Sequence, residues 1–438
     1  MLRMKELFLC SVLYIAVLLV ISACGGSGGG TVVVNQADPG HLDTGFGNAG
    51  KVLTDISTHN DQAYAVAVQS DGKIVAVGTS VTVTNSDFAV VRYTVSGALD
   101  GTFGTGGIVT TPIGSGNDVA RAAAIQADGK IVVAGYYEAG AFNKIAVVRY
   151  NTNGSLDSTF GAGGIVTTPI GSNNDFAYAV AVQSDGKIVV AGSSNDGAKD
   201  LFALVRYTAV GVLDTTFNTT GKVTTAIVSG NSAANGVAIQ TNQLIVAAGY
   251  AFNGTNNDFA VARYNINGTL DGTFGTGGIS RTPVGTGASA VQAVAIQSTD
   301  QKIVVVGQAA VGGSNNFAIA RYLATGALDN GFGTAGITTT PIGTVNDIAR
   351  AVKIAAVGKI VVAGSSYNGA NDDFALARYN ADGTLDTIFN GTGKVTTAVG
   401  TGDDLAFGLA IQPDGKIVAA GYSFNGLNND FALTRYWP

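Results

Sequence analysis

Short runs of β-branched and small apolar residues alternate along the chain with turns rich in Gly, Asn, Asp and Ser. The stretch from 164 to 207 shows this pattern and predicts four short strands, at 164–170, 177–183, 187–192 and 202–207. Between the second and third strands, the Asp185-Gly186 pair predicts a tight hairpin in which both turn positions have positive φ. The third strand is apolar at successive positions, which indicates that both of its faces are covered.

The four-strand unit recurs seven times. Each copy carries a Leu-Asp pair followed by a phenylalanine, and these lie 57 or 58 residues apart, at Phe46, Phe103, Phe160, Phe217, Phe274, Phe332 and Phe389. Each copy ends in Arg-Tyr, the last at Arg435-Tyr436. A period of this length with several strands per unit is typical of a radial repeat fold. The sequence therefore predicts an all-β fold, a seven-bladed β-propeller with about 57 residues and four antiparallel strands per blade.

Two features bear on the edges of the blades. Prolines occur in the predicted first strand of four copies, at 112, 169, 283 and 341. Because proline cannot donate to a central ladder, this strand should form a blade edge. The segment 31–35 lies one period before a predicted fourth strand, and we expect it to pair with a terminal blade and close the ring.

The repeated motifs also resemble a known family. Leu-Asp-x-x-Phe-Gly, Gln-x-Asp-Gly-Lys-Ile-Val-Val-Ala-Gly and Asp-Phe-Ala-x-x-Arg-Tyr-Asn together resemble the delta-60 repeat β-propellers of bacteria, over residues 42–436. The resemblance implies a seven-bladed propeller that is commonly secreted or on the cell surface, and it implies no particular catalytic residues. The fourth copy departs most from the pattern, at Asn218, Gln243 and Leu244, so we expect that blade to be locally irregular.

The first residues of the chain predict export. Arg3 and Lys5 precede an apolar run at 7–21, which is shorter than the roughly 20 residues of a membrane-spanning helix and is typical of a secretory signal. The tetrad from Ile21 to Cys24 resembles the lipobox of bacterial lipoproteins. This resemblance implies cleavage of the chain on the N-terminal side of Cys24, acylation of its thiol, and acylation of the new amino group. A plain signal peptide with a chance cysteine is the alternative.

We therefore expect a signal peptide at 1–23, a lipidated Gly-rich tether with a candidate closing strand at 24–41, and a single propeller domain at 42–438. The residue after Cys24 is Gly25 rather than the aspartate that resembles an inner-membrane retention signal. The expected location is therefore the outer membrane or the cell surface.

Composition excludes several classes of function. The chain has 24 Lys and Arg against 30 Asp and Glu and no basic cluster, so we expect no nucleic-acid partner. Beyond the predicted signal there are two histidines, His41 and His59, and one glutamate, Glu138, which excludes a Cys/His zinc site. We expect no catalytic residue, no metal and no cofactor. Calcium at the recurring Asn-Asp pairs is the alternative, although their spacing does not match a twelve-residue calcium loop.

Polar residues that recur in every blade should hold the framework together. We expect each arginine of the Arg-Tyr pairs to form an ion pair with a Leu-Asp carboxylate. The six lysines that follow the hairpin turns belong to the same framework, and the aspartates of the Asn-Asp pairs are expected in Asx turns.

Residues that differ between copies should determine ligand specificity, because equivalent loops emerge on the same face of the ring. The loop between the third and fourth strands is the longest and most variable, and aromatic side chains suited to sugars or peptides lie there among amides. The candidate ligand-binding residues are Tyr136, Tyr137, Tyr250, Phe252, Tyr367, Tyr422 and Phe424. The alternative is that these rings pack on the neighbouring blade.

The expected function is that of a monomeric β-propeller anchored to the membrane by lipid on Cys24. It would serve as a non-enzymatic scaffold for an envelope or extracellular protein or glycan. The alternative is a surface polysaccharide hydrolase or lyase that uses aspartates at the channel mouth, since a pair of carboxyl groups suffices for glycoside hydrolysis.

Overall fold

A computed structural model describes residues 38–438, which contain 28 strands and two short 3-10 turns, Ala356–Gly358 and Phe389–Gly391. The strands are β1 (Lys51–Thr54), β2 (Asp61–Val68), β3 (Ile74–Val81), β4 (Ser86–Tyr93), β5 (Ile108–Thr111), β6 (Asp118–Ile125), β7 (Ile131–Ala139), β8 (Phe142–Tyr150), β9 (Ile165–Thr168), β10 (Asp175–Val182), β11 (Ile188–Asn195), β12 (Asp200–Tyr207), β13 (Lys222–Thr225), β14 (Ser232–Ile239), β15 (Ile245–Phe252), β16 (Asn257–Tyr264), β17 (Ile279–Thr282), β18 (Ser289–Ile296), β19 (Ile303–Val311), β20 (Ser314–Tyr322), β21 (Ile337–Thr340), β22 (Val345–Ile354), β23 (Ile360–Tyr367), β24 (Asp372–Tyr379), β25 (Lys394–Thr397), β26 (Asp404–Ile411), β27 (Ile417–Phe424) and β28 (Asn429–Tyr436).

These strands form seven four-stranded antiparallel sheets, the blades of a β-propeller, as predicted. Blade one has the order β2-β3-β4-β5, and the next five blades repeat this order. The second and third strands of each blade are the most buried. In β3, for example, the first seven of eight residues are buried, because blades pack on both of its faces. No helix in 38–438 is long and apolar enough to cross a membrane.

The first strand of each repeat is an edge strand, but it belongs to the blade of the preceding repeat. In the specimen repeat, β9 pairs with β8, whereas β10, β11 and β12 form the next sheet with β13. The argument from proline was wrong in detail, because Pro112, Pro169, Pro283 and Pro341 each follow the last residue of an edge strand. Each proline thus lies where the chain leaves the blade.

The ring is closed by the N-terminal strand of the described chain. β1 pairs antiparallel with β28, from Lys51 opposite Thr434 to Thr54 opposite Phe431, and so completes blade seven. The Arg435 Nε donates to Asp43 Oδ2 at 2.9 Å across the same junction. The predicted closing segment 31–35 lies outside the described residues.

The ion pairs expected in the framework are confirmed in all seven blades. Each Arg-Tyr arginine donates from Nε to a Leu-Asp carboxylate at 2.7–2.9 Å and lies over the repeat's phenylalanine, 4.5–4.8 Å from the ring centre. Arg206 shows how this group links blades, since its Nη1 also donates to the carbonyl of Ile266 in the next repeat at 2.5 Å. Six post-turn lysines reach the same carboxylates at 3.0–3.4 Å.

The hairpin between the second and third predicted strands differs from the expectation in its turn type. Gly186 has φ of 81° but Asp185 is not in the positive-φ region; its carboxylate instead accepts from the backbone N–H of Lys187 at 3.1 Å. In repeat four, Asn218 and Gln243 adopt the same positive φ as the glycines that they replace, 48° and 67°. The strands of that blade have ordinary lengths, and the departure in this repeat is confined to its turns, where Thr219 also has a positive φ of 57°.

Candidate ligand-binding site in the central channel

A β-bulge interrupts the innermost strand of every blade at the same place. In β2, Ala63 and Ala65 pair with the successive residues Gly78 and Val77 of β3, so Tyr64 is an extra residue between them. A bulge re-aims one side chain. Here it directs seven side chains to one central cavity of about 460 Å³, those of Tyr64, Arg121, Tyr178, Asn235, Gln292, Arg350 and Phe407.

The glycine of the Ile-Val-Val-Ala-Gly motif is required by this bulge. Gly192 pairs with Ala177 beside the bulged Tyr178, and a Cβ on Gly192 would lie 1.8 Å from the carbonyl oxygen of Phe176. The equivalent distance is 1.8–2.0 Å in every blade, at Gly78, Gly135, Gly192, Gly249, Gly307, Gly364 and Gly421. The repeat thus keeps a glycine in the second strand of the blade so that the first strand can bulge toward the channel.

Two arginines dominate the charge of the cavity. The guanidinium of Arg121 lies 4.2 Å from the ring centre of Tyr64, and its Nη2 donates to Tyr136 Oη at 3.4 Å. The guanidinium of Arg350 lies 4.6 Å from the ring centre of Phe407. Burial lowers the pKa of Arg350 to about 10, so the group still carries its charge at neutral pH.

A third cation lies further along the channel. Lys353 replaces an alanine that occupies the equivalent place in the other six inner strands, and its side chain is exposed to the channel. Among the described residues that line the cavity there is no Asp or Glu. Asn235, Gln292 and Gln308 add amide donors and acceptors to the lining. The cavity is therefore cationic, although the whole chain has a formal net charge of -6.

Two groups of aromatic rings lie beside Arg121 and Arg350. The ring of Phe407 lies edge-on to Tyr64 at 5.2 Å and stacks with Tyr422 at 5.6 Å. On the other side, Phe176 lies between Tyr136 at 4.9 Å and Tyr178 at 6.0 Å. Burial raises the pKa of Tyr178 to about 12, so this phenol remains protonated and acts as a hydrogen-bond donor at neutral pH.

The predicted aromatic residues separate into two groups. Tyr136 and Tyr422 join the rings around the bulged residues. Tyr250 is half-buried in the equivalent place on β15, where burial and the charge of Asp200 raise its pKa.

The other four loop aromatics lie away from the channel residues. Tyr137 packs against the apolar cluster between blades one and two. Phe252, Tyr367 and Phe424 share one position at the outer end of their strands, and the rings of Phe252 and Phe424 lie against the loop glycines Gly230 and Gly402. Cys24, the predicted lipidation site, lies outside the described residues.

The seven bulged residues were not predicted from the sequence, because the candidate ligand-binding residues were sought in the loops between strands. They occupy a strongly variable position flanked by small residues, as in Ala-Tyr-Ala at 63–65 and Ala-Arg-Ala at 120–122. A large polar or aromatic residue that varies between alanines was the signal in the sequence. β2 begins beside the end of β3, so this position faces the same end of the ring as the variable loops.

The recurring aspartates have local structural roles. Asp118 Oδ2 accepts from the backbone N–H of Ile113 at 2.6 Å and of Gly114 at 3.1 Å, five and four residues before it, so the aspartate holds the preceding loop and does not form the expected Asx turn. Two other aspartates, Asp372 and Asp403, lie close enough to Arg350 or Tyr422 for their charges to shift those pKa values.

Solved structures similar to this chain share its fold at low sequence identity. The polysaccharide lyase Uly1 is 12% identical, with a TM-score of 0.50 over 89% of this chain and 91% of that one. Sqt1 from Chaetomium thermophilum, bound to the N-terminus of the ribosomal protein L10, is 12% identical, with a TM-score of 0.49 over 88% of this chain and 98% of that one. No curated protein matches the sequence.

A family model does match, and its repeats coincide with the observed period. The model is described as a domain of unknown function (DUF5122) beta-propeller, and it matches residues 69–103, 126–160, 183–217, 244–274, 299–332, 358–389 and 412–438. Together these segments make up more than half of the sequence, and one falls in each repeat. The chain therefore belongs to the DUF5122 β-propeller family.

Proposed function

We propose that this protein is a binding propeller of the bacterial cell envelope, anchored by lipid on Cys24, and that it binds an acidic glycan in the mouth of its central channel. The observation that carries the proposal is the pair Arg121 and Arg350, each held over an aromatic ring on the channel wall. The delta-60 resemblance and the lipobox-like tetrad support placement outside the cytoplasm.

The chemistry of the cavity favours an acidic sugar over a neutral one. Arginine guanidinium groups bind carboxylates and sulfates through paired N–H donors. The rings of Tyr64, Phe407 and Tyr422 offer apolar faces to sugar rings, and Asn235 and Gln292 suit hydroxyl groups. A cavity of about 460 Å³ lies within the range of small-molecule sites, and it would take one or two sugar units.

Binding without catalysis is the form of function that we propose. The high pKa of Tyr178 makes this phenol a poor general base near neutral pH. The Leu-Asp carboxylates are held in ion pairs: burial raises the pKa of Asp43 and of Asp386, but hydrogen bonds and the charges of the paired lysine and arginine outweigh it and hold each pKa below its ordinary value. These groups are therefore suited to fixing the fold.

The test is titration calorimetry on a soluble form that begins at Gly25, with oligogalacturonate and its methyl-esterified, uncharged form. We expect the acidic form to bind and the esterified form to bind at least about 10-fold more weakly. Arg121→Gln and Arg350→Gln should each weaken binding about 10- to 100-fold, the loss expected for a charge-assisted hydrogen bond. Arg281→Gln is the matched control, because Arg281 lies on the outer strand β17 with its side chain 42% exposed.

Two results would contradict the proposal. One is equal binding of the acidic and esterified sugars, and the other is full binding by the Arg121→Gln, Arg350→Gln double variant. If an acidic peptide binds and no glycan does, the proposed ligand class is wrong, but the proposed location of the binding site still holds. The aromatic groups give a second readout, because Tyr136→Ala and Tyr422→Ala should reduce binding, whereas Phe252→Ala and Phe424→Ala should not.

The membrane anchor has its own test. Cells that express the full chain should incorporate labelled palmitate into the protein, and Cys24→Ala should abolish the label and release the protein from the membrane fraction. Unchanged labelling of the Cys24→Ala protein would contradict lipidation at this residue.

One observation favours a polysaccharide hydrolase or lyase as a second candidate. Burial and the charge of Asp403 raise the pKa of Asp372, on the side of the ring where Arg350 lies. A carboxyl with a raised pKa beside a second carboxyl group can serve as a general acid. Reducing ends or unsaturated uronate ends released from an acidic polysaccharide, and lost in Asp372→Asn, would establish this activity.

A further inference from the structure

Three carboxylates meet where the ring closes. Asp55 follows the closing strand β1, Asp61 begins β2, and Asp430 is the second residue of β28. Thr54 is paired with Phe431, which brings Asp55 beside Asp430. One carboxylate oxygen from each of the three lies within 4.8 Å of the others. Asp61 is fully buried, Asp430 is 5% exposed and Asp55 is exposed.

The hydrogen bonds at this junction leave part of the negative charge without a partner. Asp61 Oδ2 accepts from the backbone N–H groups of Ile56 and Ser57, each at 2.8 Å. Asp430 Oδ2 accepts from the amide of Asn425 at 2.9 Å, but the buried Oδ1 of Asp430 has no hydrogen-bond partner in the described chain. A buried carboxylate oxygen in this situation is costly unless a cation is present.

The equivalent junction between blades two and three shows that the position accepts a cation. There, Lys144 takes the place of Asp430 in the repeat, and its Nζ donates to Asp175 Oδ2 at 3.0 Å and to the carbonyl of Gly171 at 2.9 Å. It also donates to the carbonyl of Asn173. Asp175 is the repeat equivalent of Asp61. The fold thus directs a carboxylate and two backbone carbonyls toward one ammonium group.

At the ring closure the sequence reverses the charge of this arrangement. Asp430 stands where Lys144 lies, as an aspartate also does in three other repeats, but only here does a third carboxylate join, because Asp55 occupies the place of the proline found at 112, 169, 283 and 341. Three carboxylates therefore surround a position that a side-chain ammonium fills elsewhere in the same molecule. Carboxylate and carbonyl oxygens in a flexible, partly exposed arrangement are the ligands that Ca²⁺ prefers, with water completing the shell.

We propose that Asp55, Asp61 and Asp430 form a calcium site that fastens the closure of the ring. The three ligands belong to β1, β2 and β28 or directly follow them, so the bound ion would join both ends of the propeller with blade one. The site exists only when the ring is closed, and calcium binding must therefore stabilise the closed form by mass action. This proposal is independent of the channel site, because none of the three residues lines the central cavity.

The experiment measures the melting temperature of the full chain, purified in detergent and stripped of metal with EDTA, during titration with CaCl₂ or MgCl₂. At a 100-fold excess of calcium over its Kd, we expect the melting temperature to rise by about 3 °C. Asp55→Asn and Asp430→Asn should lose most of this rise. Asp258→Asn is the matched control, because Asp258 is the repeat equivalent of Asp430 in a blade where Ser289 takes the place of Asp61; its calcium response should equal that of the wild type.

A charge-reversing variant of Asp430 tests the calcium site even if an asparagine variant folds poorly. Asp430→Lys recreates the Lys144 junction, so it should melt in EDTA at or above the wild-type temperature and no longer respond to calcium. The proposal is overturned if calcium leaves the wild-type melt unchanged, or if Asp55→Asn and Asp430→Lys still respond as the wild type does. An equal response to MgCl₂ overturns the assignment to calcium.

Discussion

The glycine opposite each bulge offers a stringent test of how the channel is built. In Gly249→Ala, the new Cβ would lie 1.8 Å from the carbonyl oxygen of Ala233 and 3.0 Å from the Cα of Ala234. Both contacts are with backbone, so a side-chain rotation cannot relieve them, and β14 and β15 must separate or the bulge must be lost. Forced overpacking of this kind costs typically 1–3 kcal/mol, and we expect the upper part of that range.

The assay is urea unfolding of the soluble chain from Gly25, followed by far-UV circular dichroism. Gly272→Ala is the matched control in the next repeat, because a Cβ at Gly272 would have no heavy atom within 4 Å. That variant should be within about 0.5 kcal/mol of the wild type. If Gly249→Ala is equally mild, the bulge does not depend on the glycine and the account of the channel is wrong. Loss of the bulge should also displace Asn235 from the channel and change glycan binding.

Three further outcomes follow from the framework. Gln243→Gly should raise the free energy of unfolding by roughly 1 kcal/mol, because Gln243 has φ of 67°; a neutral or negative change in urea unfolding would refute this source of strain. Arg206→Met should lower the free energy of unfolding by about 3–5 kcal/mol, because it leaves the buried Asp214 without its 2.8 Å partner, whereas Arg281→Met should cost under about 0.5 kcal/mol. Burial raises the pKa of Asp157, but hydrogen bonds from Thr159 and Lys130 outweigh this effect and hold that pKa well below 3.8. The contribution of such carboxyls to the free energy of unfolding should therefore be complete above pH 3.8 and decrease as the pH falls further. Urea unfolding from pH 7 to pH 2 tests this, and a free energy of unfolding that already decreases above pH 5 would contradict it.

The strand pattern and the framework were accessible from the sequence because they recur. Seven copies of Arg-Tyr and Leu-Asp at a constant period indicate pairs that every blade needs, and the 2.8 Å pair of Arg206 and Asp214 is one of them. The assignment of each repeat's first strand to the blade of the preceding repeat could not be predicted from the sequence. An edge strand such as β9 lies between two nearly identical repeats, and its apolar pattern suits pairing with either neighbour.

The channel residues were harder to predict for a different physical reason. Alternation along a strand assigns each side chain to one face, and the extra residue of a bulge breaks that alternation. Tyr64 and Arg121 therefore look like ordinary members of an alanine-rich strand until the pairing register is known. The sequence did single out Tyr136 and Tyr422, since variable aromatic residues at strand ends are conspicuous. It could not distinguish them from Phe252 and Phe424, which lie against their own loops.

The pairing of Lys51 with Thr434 has a consequence for how the protein is made. A chain synthesised or exported from its N-terminus carries β1 unpaired until almost every other residue has emerged. During that interval, β1 of one molecule and β28 of another are both open edges with matching sequences. High expression should therefore favour chains that exchange β1 between molecules, and a circular permutant that starts between blades, with residues 38–54 joined directly after 438, should assemble with less of this exchange.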